Sequence, residues 1–277
     1  MIKEIANGME LAESPFWDNQ NNIYYWVDIL KKRLFSFKNN TIDYKEYDTY
    51  ISFIFKNNKN QLCAAFEDGI YVLDNKYNKI KSYITFQNDG FRCNDGGISP
   101  NGELFIGRMN NLYNYHEKEP EYDGKLLIIK NGTQKEILKN VGISNGIAWH
   151  SKGNKVYFID SLTKSVQEFD YVNSEFKNPK TVYKLENISP DGMSIDNKDR
   201  LWIAQYGEGK IVCIDTKIFD SIYEYNFDRK NITSCCFAGI NLDEILITSA
   251  EDETKDGAVY LLKTDNITGR NKNIYIE

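Results

Sequence analysis

Histidine is almost missing from this sequence, and several familiar catalytic patterns are missing with it. Only His116 and His150 occur among the 277 residues. A histidine-dependent nucleophile triad and a histidine-ligated zinc site are therefore poorly supported. His150 ends a strand-like segment before a turn, so we expect it to have a structural or surface role. No G-x-S-x-G, P-loop, Rossmann, C-x-x-C or EF-hand pattern is found either.

Cysteine is sparse, and long apolar runs are absent. The cysteines, which are odd in number and mostly in apolar strand patterns, should be buried free thiols in a reducing compartment. Adjacent residues of a strand point to opposite faces, so two neighbouring cysteines should not pair with each other. No signal-peptide stretch opens the chain and no run approaches membrane-spanning length, so we expect a cytoplasmic protein without a membrane partner. The cysteines are Cys63, Cys93, Cys213, Cys235 and Cys236.

Positive charge is not in excess. The formal net charge is −6 and the isoelectric point is about 5.2, whereas nucleic-acid binding depends on clustered lysine and arginine. Lysines are interleaved with acidic residues, which is typical of a solvated surface. Hydrophobic residues make up 41% and aromatic residues 14%, enough for a large core. No Pro-rich or Gly/Ser-rich linker divides the chain, so we expect one domain over residues 1–277, present as a monomer or a weak dimer.

What the sequence does contain is a six-fold internal repeat. Six short segments share a polar residue followed by alternating apolar ones, and their first apolar residues are separated by 39, 42, 52, 45 and 44 residues. This period predicts an all-β fold, a six-bladed β-propeller with four antiparallel strands in each blade. We expect the N-terminal residues to close the ring by pairing with the last blade. The first apolar residues are Ile23, Leu62, Leu104, Val156, Leu201 and Ile245.

Four of the repeats carry an oxygen-bearing side chain ten or eleven residues before this position, namely Glu13, Asn94, Asn145 and Asp191. In a propeller, residues at one phase of the repeat converge on the central axis. Taken singly, Asp95-Gly96, Asn145-Gly146 and Asp191-Gly192 could be hairpin turns, and Glu13 could be an exposed carboxylate. Each Gly pair is followed by another turn a few residues later. Recurrence at one phase therefore favours a site at one end of the channel.

Two carboxylates and two carboxamides around an axis favour a hard divalent cation. Oxygen donors suit Ca²⁺, Mg²⁺ or Mn²⁺, and Zn²⁺ can also occupy such a site. The two carboxylates would be desolvated and would repel each other, and a cation relieves both costs. Arg92, two residues before Asn94, could face an anionic or hydroxyl-rich ligand, or could be a surface arginine in its loop.

Six groups of short motifs, in order and at the right phase, give the chain a family resemblance. From residue 11 to residue 263 it resembles the regucalcin (senescence marker protein), gluconolactonase and luciferin-regenerating enzyme family of six-bladed propellers. The resemblance implies that Glu13, Asn145 and Asp191 bind one divalent metal ion. It also implies that Arg92 and Asn94 hold substrate and that Asp191 is the general base. The motifs are ESPFW at 13–17 with WVDI at 26–29, RCNDG at 92–96, ISNGIAW at 143–149, YFIDS at 157–161, PDGM at 190–193 and TSCCF at 233–237.

Some features depart from the family pattern. Ser14 stands where a glycine is usual, which should alter the turn but keep the preceding carboxylate in place. Arg108 replaces a small hydroxyl residue and could add a positive charge that faces the substrate. Residues 108–124, which include His116, are expected to form a loop over one end of the channel. The short segment after Leu262 leaves the closure of the last blade open.

The residues and the resemblance together imply a cytosolic, metal-dependent lactonase that acts on a sugar lactone such as an aldonolactone. A bound cation would polarise the carbonyl and lower the pKa of a water molecule, and Asp191 would accept the proton. Two other hypotheses stay open. A non-enzymatic calcium-binding regulator would use the same ligands, and a glycosidase would need two free carboxylates at a defined separation.

Overall fold

The computed structural model describes residues 1–115, 119–186 and 188–277, and these residues are folded almost entirely into β-strands. Turn residues such as Asn22, Asn60 and Asp199 have positive φ, as many tight β-hairpin turns require. Helical structure in the described residues consists of two short 3-10 segments, Asn111–Tyr115 and Ser161–Thr163. Neither segment has the length or the apolar character needed to cross a membrane.

The described residues form 24 strands, which are numbered here in chain order. The strands are β1 (Ile2–Met9), β2 (Ala12–Asp18), β3 (Ile23–Asp28), β4 (Arg33–Lys38), β5 (Thr41–Glu46), β6 (Ile51–Lys56), β7 (Leu62–Phe66), β8 (Gly69–Leu73), β9 (Lys79–Thr85), β10 (Phe91–Ile98), β11 (Leu104–Asn110), β12 (Gly124–Lys130), β13 (Thr133–Val141), β14 (Ser144–Trp149), β15 (Lys155–Asp160), β16 (Ser165–Val172), β17 (Glu175–Lys184), β18 (Ser189–Ile195), β19 (Leu201–Tyr206), β20 (Lys210–Asp215), β21 (Asp220–Asn226), β22 (Asn231–Ala238), β23 (Glu244–Ala250) and β24 (Gly257–Lys263).

Strand pairing groups these strands into antiparallel units of four. Separate sheets contain β2–β5, β6–β9, β10–β13 and β14–β17, each in chain order. The other eight strands form one sheet, in which β18–β21 meets the run of β22–β24 and β1 through a single residue pair, Tyr206 and Asn231. The predicted all-β fold with four-stranded antiparallel sheets is confirmed.

The six repeated segments occupy equivalent places in these units. Each lies in the second strand of its unit, that is in β3, β7, β11, β15, β19 and β23. The N-terminal strand β1 pairs with β24, from Ile2 opposite Leu262 to Met9 opposite Gly257. The predicted pairing of the N-terminal residues with the last unit is therefore confirmed, and the first and last parts of the chain share one sheet.

The hydrophobic core lies largely between neighbouring sheets. Phe16 and Val27 of the first sheet pack with Ile51 and Phe66 of the next. Phe105 contacts the ring of a tryptophan in β14, with centroids 5.4 Å apart. Such packing of large apolar side chains fixes one sheet against the next. All the cysteines are buried and unpaired, so the predicted free thiols are confirmed.

The segment after β24 crosses the end of the molecule at which the first strand of each unit finishes. Nζ of Lys272 donates to the carbonyl of Pro15 over 3.0 Å, and Nδ2 of Asn273 donates to the carbonyl of Ile98 over 2.9 Å. Strand β1 therefore completes the last unit, while residues 264–277 tie other units together at this end.

Candidate active site

The four polar residues at one phase of the repeat lie in the first strand of their units. Each is buried, and each falls at a β-bulge, where the register with the second strand shifts. A bulge interrupts the alternation of side chains and redirects one of them, and bulges recur beside active sites. The residues are Glu13 in β2, Asn94 in β10, Asn145 in β14 and Asp191 in β18.

The Asn-Gly and Asp-Gly pairs of these strands are not turns. Asn145-Gly146 lies inside β14, and Asp191-Gly192 lies inside β18. A Cβ atom on Gly146 would lie 2.4 Å from Cβ of Met193, and one on Gly192 would lie 2.1 Å from a serine Oγ of β22. Glycine follows the site residue because the neighbouring first strand is too close for a side chain. The hairpin-turn interpretation of these pairs is wrong.

A chain of hydrogen bonds runs through the site from β10 to β18. Nη1 of Arg92 donates to Oδ1 of Asn94 over 2.6 Å, and Nδ2 of Asn94 donates to Oδ1 of Asn145 over 3.0 Å. Nδ2 of Asn145 donates to Oγ of Ser161 over 2.7 Å. The Ser161 hydroxyl then donates over 2.6 Å to the carbonyl of Pro190, which directly precedes the candidate base. These contacts fix the direction in which both amides face.

Arg92 is buried and is part of the site. Its guanidinium also donates to the carbonyl of Cys93 over 2.8 Å. Burial lowers the pKa of Arg92 to about 10, and the negative charge of Glu13 opposes this change. The side chain is therefore charged at neutral pH, and the interpretation of Arg92 as a surface residue is wrong.

Three acidic residues influence one another at this end of the axis. Burial, followed by the negative charge of Asp95, raises the pKa of Glu13 to about 8. Burial, followed by the charges of Glu13 and Asp95, raises the pKa of Asp191 well above its usual value. Burial also raises the pKa of Asp95, which the repeat phase did not single out, to about 6. Positive charge brought to this region would favour the ionised carboxylates.

Glu13, Asn145 and Asp191 bring two carboxylates and one amide oxygen to this region. In the part of the chain that the structure describes, no three His, Cys, Asp or Glu side chains are grouped so that they could hold a metal ion. An amide oxygen is thus needed to complete a set of three protein ligands. Because Ser161 engages Nδ2 of Asn145, the Oδ1 atom is directed to the other side. This donor set fits a hard divalent cation.

Sequence reasoning missed two hydroxyl residues that support the site. Thr233 occupies the bulge of β22, at the repeat position of Glu13, and donates to the carbonyl of Ala12 over 2.6 Å. Ala12 directly precedes Glu13, just as the acceptor of Ser161 precedes Asp191. Both hydroxyl residues belong to motifs of the family resemblance, which was the available signal. Their roles depend on contacts between sheets that residue spacing does not reveal.

Arg108 binds a neighbouring loop instead of facing a substrate. Its guanidinium pairs with both carboxylate oxygens of Asp89, over 2.8 and 2.9 Å, and donates to the carbonyl of Phe91 over 2.6 Å. It also lies 4.5 Å from the ring centroid of Phe86. The hypothesis of a substrate-facing charge is wrong because these groups occupy the guanidinium. Arg108 holds the segment that leads into β10.

The structure also bears on the predictions for the two histidines and for the long loop at residues 108–124. Residues 111–115 form a short 3-10 helix, and the Tyr113 hydroxyl donates to Asp123 over 2.7 Å, so this part of the loop folds on itself. His116 lies outside the described residues. Nδ1 of His150 accepts a backbone N–H of its own turn over 3.2 Å, in keeping with the expected structural role.

A cavity of about 170 Å³ lies between the site and the C-terminal segment, and sequence neighbours of the site residues line it. Ser14 and Asp95 line the cavity near the site, Lys272 lines it at the other end, and Phe53 and Trp149 form part of its apolar wall. Because residues 264–277 cross that end, a ligand would enter from the end that carries the site.

Four-stranded antiparallel sheets that follow one another along the chain, with buried acidic residues at one end, are the architecture of a β-propeller. The model of the SMP-30/Gluconolactonase/LRE-like region matches residues 11–251 of this chain. The chain belongs to that family. The resemblance inferred from the short motifs is therefore confirmed.

The chain is similar to proteins of different kinds within this family. YvrE of Bacillus subtilis strain 168, a candidate sugar lactone lactonase, is 29% identical over 262 residues, which cover 90% of this chain and 87% of YvrE. Regucalcin of Homo sapiens is 30% identical over 249 residues, which cover 87% of this chain and 83% of regucalcin. The structure of a luciferin-regenerating enzyme superposes with a TM-score of 0.91 at 24% identity and covers 100% of this chain and 99% of that one.

Proposed function

We propose that this protein is a divalent-metal-dependent lactonase that opens a sugar lactone such as an aldonolactone. The observation that carries the proposal is the buried set of Glu13, Asn145 and Asp191, of which Asn145 is linked by the hydrogen-bond chain to Asn94 and Arg92. Membership of a family whose name includes gluconolactonase, and the similarity to YvrE, support a lactone as substrate.

Glu13, Asn145 and Asp191 would hold the cation, and Ca²⁺, Mg²⁺, Mn²⁺ and Zn²⁺ are all compatible with their oxygen donors. When bound, a divalent cation would polarise the lactone carbonyl and lower the pKa of a coordinated water molecule. These buried acidic residues are suited to this task, because the charge of Glu13 raises the pKa of Asp191 and the charge of Asp95 raises the pKa of Glu13.

Asp191 would accept a proton from water as the water oxygen forms its bond to the carbonyl carbon. The ring C–O bond then breaks, and the proton held by Asp191 goes to the leaving alkoxide. Oδ1 of Asn94 would accept a hydrogen bond from a substrate hydroxyl, because both N–H groups of Nδ2 already donate to the carbonyl of Ser144 and to Oδ1 of Asn145. Arg92 would orient the Asn94 amide through its 2.6 Å hydrogen bond.

The test begins with metal-free protein assayed against a panel of sugar lactones, with each of the four cations added separately. Asp191→Asn keeps a ligating oxygen but loses the proton acceptor, so kcat at saturating cation should fall by about a hundredfold or more. Glu208→Gln is the matched control, because Glu208 is an exposed carboxylate two residues beyond β19. The control should keep the wild-type rate.

Two further variants separate cation binding from substrate binding. Glu13→Gln removes one negative charge with little change of shape and should weaken cation binding. Asn94→Ala should raise KM while cation affinity stays within about threefold, because it removes a substrate contact. Wild-type turnover by Asp191→Asn at saturating cation would contradict the proposed mechanism. Tight calcium binding without turnover of any lactone would favour the calcium-binding regulator instead.

We further propose that the ring has six blades, with the eight-stranded sheet counted as two, and that the protein acts in the cytoplasm as a monomer or weak dimer. The blade count is supported by the strand pairing, because the two halves of the eight-stranded sheet are joined by a single residue pair between β19 and β22. The buried unpaired cysteines suit a reducing compartment. An experimental structure with another number of blades, or a stable larger oligomer by light scattering, would contradict these proposals.

A further inference from the structure

Two aspartates outside the site occupy the same position of the repeat. Asp28 is the last residue of β3, and Asp160 is the last residue of β15. Each is paired in its sheet with the residue directly before a candidate metal ligand, which is Glu13 in the first case and Asn145 in the second. Both aspartates are buried. Neither has been given a role by the chemistry described above.

Asp28 binds the backbone of the segment that leads into β2. Its Oδ2 accepts the N–H of Glu10 over 2.9 Å, and its Oδ1 accepts the N–H of Leu11 over 3.0 Å. Oδ1 also accepts the N–H of Lys31 over 3.3 Å. Glu10 and Leu11 lie three and two residues before Glu13. The carboxylate therefore fixes the backbone immediately before the bulge that directs Glu13.

Asp160 makes the same contacts before β14. Its Oδ2 accepts the N–H of Gly142 over 2.9 Å, and its Oδ1 accepts the N–H of Ile143 over 3.0 Å. Oδ1 also accepts the N–H of Leu162 over 3.2 Å. Gly142 and Ile143 again lie three and two residues before the candidate ligand, Asn145. Two separate sheets thus hold a ligand-bearing strand with the same arrangement of atoms.

The unit that contains β10 and β11 has a positively charged residue, Arg108, at the equivalent position. Arg108 is paired with Cys93, the residue directly before Asn94, and so occupies the position of the two aspartates. It donates to the carbonyl of Phe91, which lies three residues before Asn94. An aspartate binds the N–H of this residue in two units, and an arginine binds its C=O in the third. The shared feature is a charged side chain that holds the backbone before a site residue.

We propose that Asp28 and Asp160 are positioning residues that hold the Glu13 and Asn145 oxygens in place for cation binding. The inference rests on the proposed function, because it concerns the same cation. Each carboxylate makes charge-assisted hydrogen bonds to two consecutive N–H groups, which are stronger than neutral ones. Loss of these bonds would free the backbone before a bulge and spread the ligand oxygens over several positions. Removing a group that orients a metal ligand typically weakens metal binding by about 10–100-fold.

The experiment compares Asp28→Asn and Asp160→Asn with Asp196→Asn. Asp196 is the control, since it is buried and its Oδ1 accepts two backbone N–H groups, over 2.8 and 3.0 Å, in a turn at the opposite end. Its Oδ2 also accepts from Nε of Arg200 over 2.6 Å, so this variant loses stability far from the candidate ligands. Calorimetry gives the Kd of the cation that binds wild type most tightly, and thermal unfolding gives Tm. Asp28→Asn and Asp160→Asn should raise Kd by about tenfold or more, while Asp196→Asn should lower Tm and leave Kd within about twofold. Saturating cation should restore kcat in the first two variants to within about threefold of wild type.

Equal Kd values for all three variants would overturn the proposal, because the aspartates would then act on stability alone. Hydrogen exchange on wild type keeps the test decisive if the substituted chains do not fold. The amides of Leu11 and Ile143 should be protected, and cation should slow their exchange further. Exchange at the rate of exposed turn amides, or no response to cation, would overturn the proposal. If wild type binds no cation, the proposed function itself fails. If wild type binds cation but the protected amides do not respond to it, the positioning role of the two aspartates is rejected and the proposed function stands.

Discussion

Nδ2 of Asn94 donates a hydrogen bond to Oδ1 of Asn145 over 3.0 Å, although the two residues belong to different sheets. The contact joins a side chain that would hold substrate to one that would hold the cation. Arg92 fixes the Asn94 amide from one side, and Ser161 fixes the Asn145 amide from the other. A substrate oxygen bound to Asn94 would therefore lie beside the cation.

Ser161→Ala should weaken both the fold and the site. The hydroxyl links Nδ2 of Asn145 to the carbonyl of Pro190, and its removal leaves buried polar groups without a partner. We expect the free energy of unfolding to fall by about 2 kcal/mol and the cation Kd to rise, measured by urea unfolding and calorimetry. Ser165→Ala is the control, since its Oγ lies 2.9 Å from the hydroxyl of Thr163 and away from the ligands. Unchanged cation affinity in Ser161→Ala would contradict a role in the site.

Ser14 should carry backbone strain that a glycine would relieve. Its φ is 48°, in the left-handed region, and its Oγ accepts the N–H of Ile54 over 2.9 Å. Ser14→Gly and Ser14→Ala both lose this acceptor, but only glycine adopts the left-handed conformation freely. Ser14→Gly should therefore be more stable than Ser14→Ala by about 1 kcal/mol, measured by urea unfolding. Equal stability of the two variants would show that the strain is negligible.

The metal-free protein should lose stability as the pH rises. Glu13 has a folded pKa of about 8, above its value of 4.5 in an unfolded chain, because it is buried near Asp95. The folded state therefore binds more protons, and the associated stability, present below pH 4.5, is lost as the pH rises toward 8. Tm of metal-free wild type should fall across this window, and Glu13→Gln should flatten the profile. A saturating cation should also reduce the fall, because it favours the ionised carboxylate. A flat metal-free profile for wild type would contradict the burial of a proton at this position.

Arg108→Lys should impair the Asn94 side of the site and leave the cation side intact. Lysine cannot pair with both oxygens of Asp89 and also reach the carbonyl of Phe91 in the same geometry. The segment before β10 should loosen, so KM should rise several-fold while the cation Kd stays constant. Arg33→Lys is the control, because Arg33 forms a more exposed pair with Glu46. An unchanged KM in Arg108→Lys would contradict a role of Arg108 in holding the segment that leads to Asn94.

The repeat phase was enough to predict the repeated strands, and it selected four polar residues that prove to be buried at equivalent bulges. This has a physical basis, because residues at equivalent bulges must project from equivalent places in the sheets. The hairpin-turn interpretation of Asn145-Gly146 failed because this glycine is required by the close approach of Met193 in the next sheet and not by a turn. Close approach between two sheets leaves no mark in the spacing of one of them.

The charges around the site could not be assigned in the same way. From the sequence, Arg108 was expected to be a positive charge near the pocket, because nothing in the residue spacing identifies Asp89 as its partner. Asp28 and Asp160 stand in recognised motifs, yet the N–H groups that donate to them lie on backbone that precedes a different strand. Backbone N–H groups carry no sequence signature, so a side chain that binds them has no recognisable partner until the register is known.

Because β1 pairs with β24, the sheet that contains the N-terminal strand can form only at the end of synthesis. Glu13 leaves the ribosome early, but β1, which precedes it, finds its partner only when the last strand has been made. Asp191 arrives in between, on a strand that contacts β22. A nascent chain would therefore carry Glu13 through most of its synthesis before Asp191 has been made and before β1 has found its partner. Under the proposed function, Glu13 and Asp191 would bind a cation together only after both strands are in place, late in synthesis.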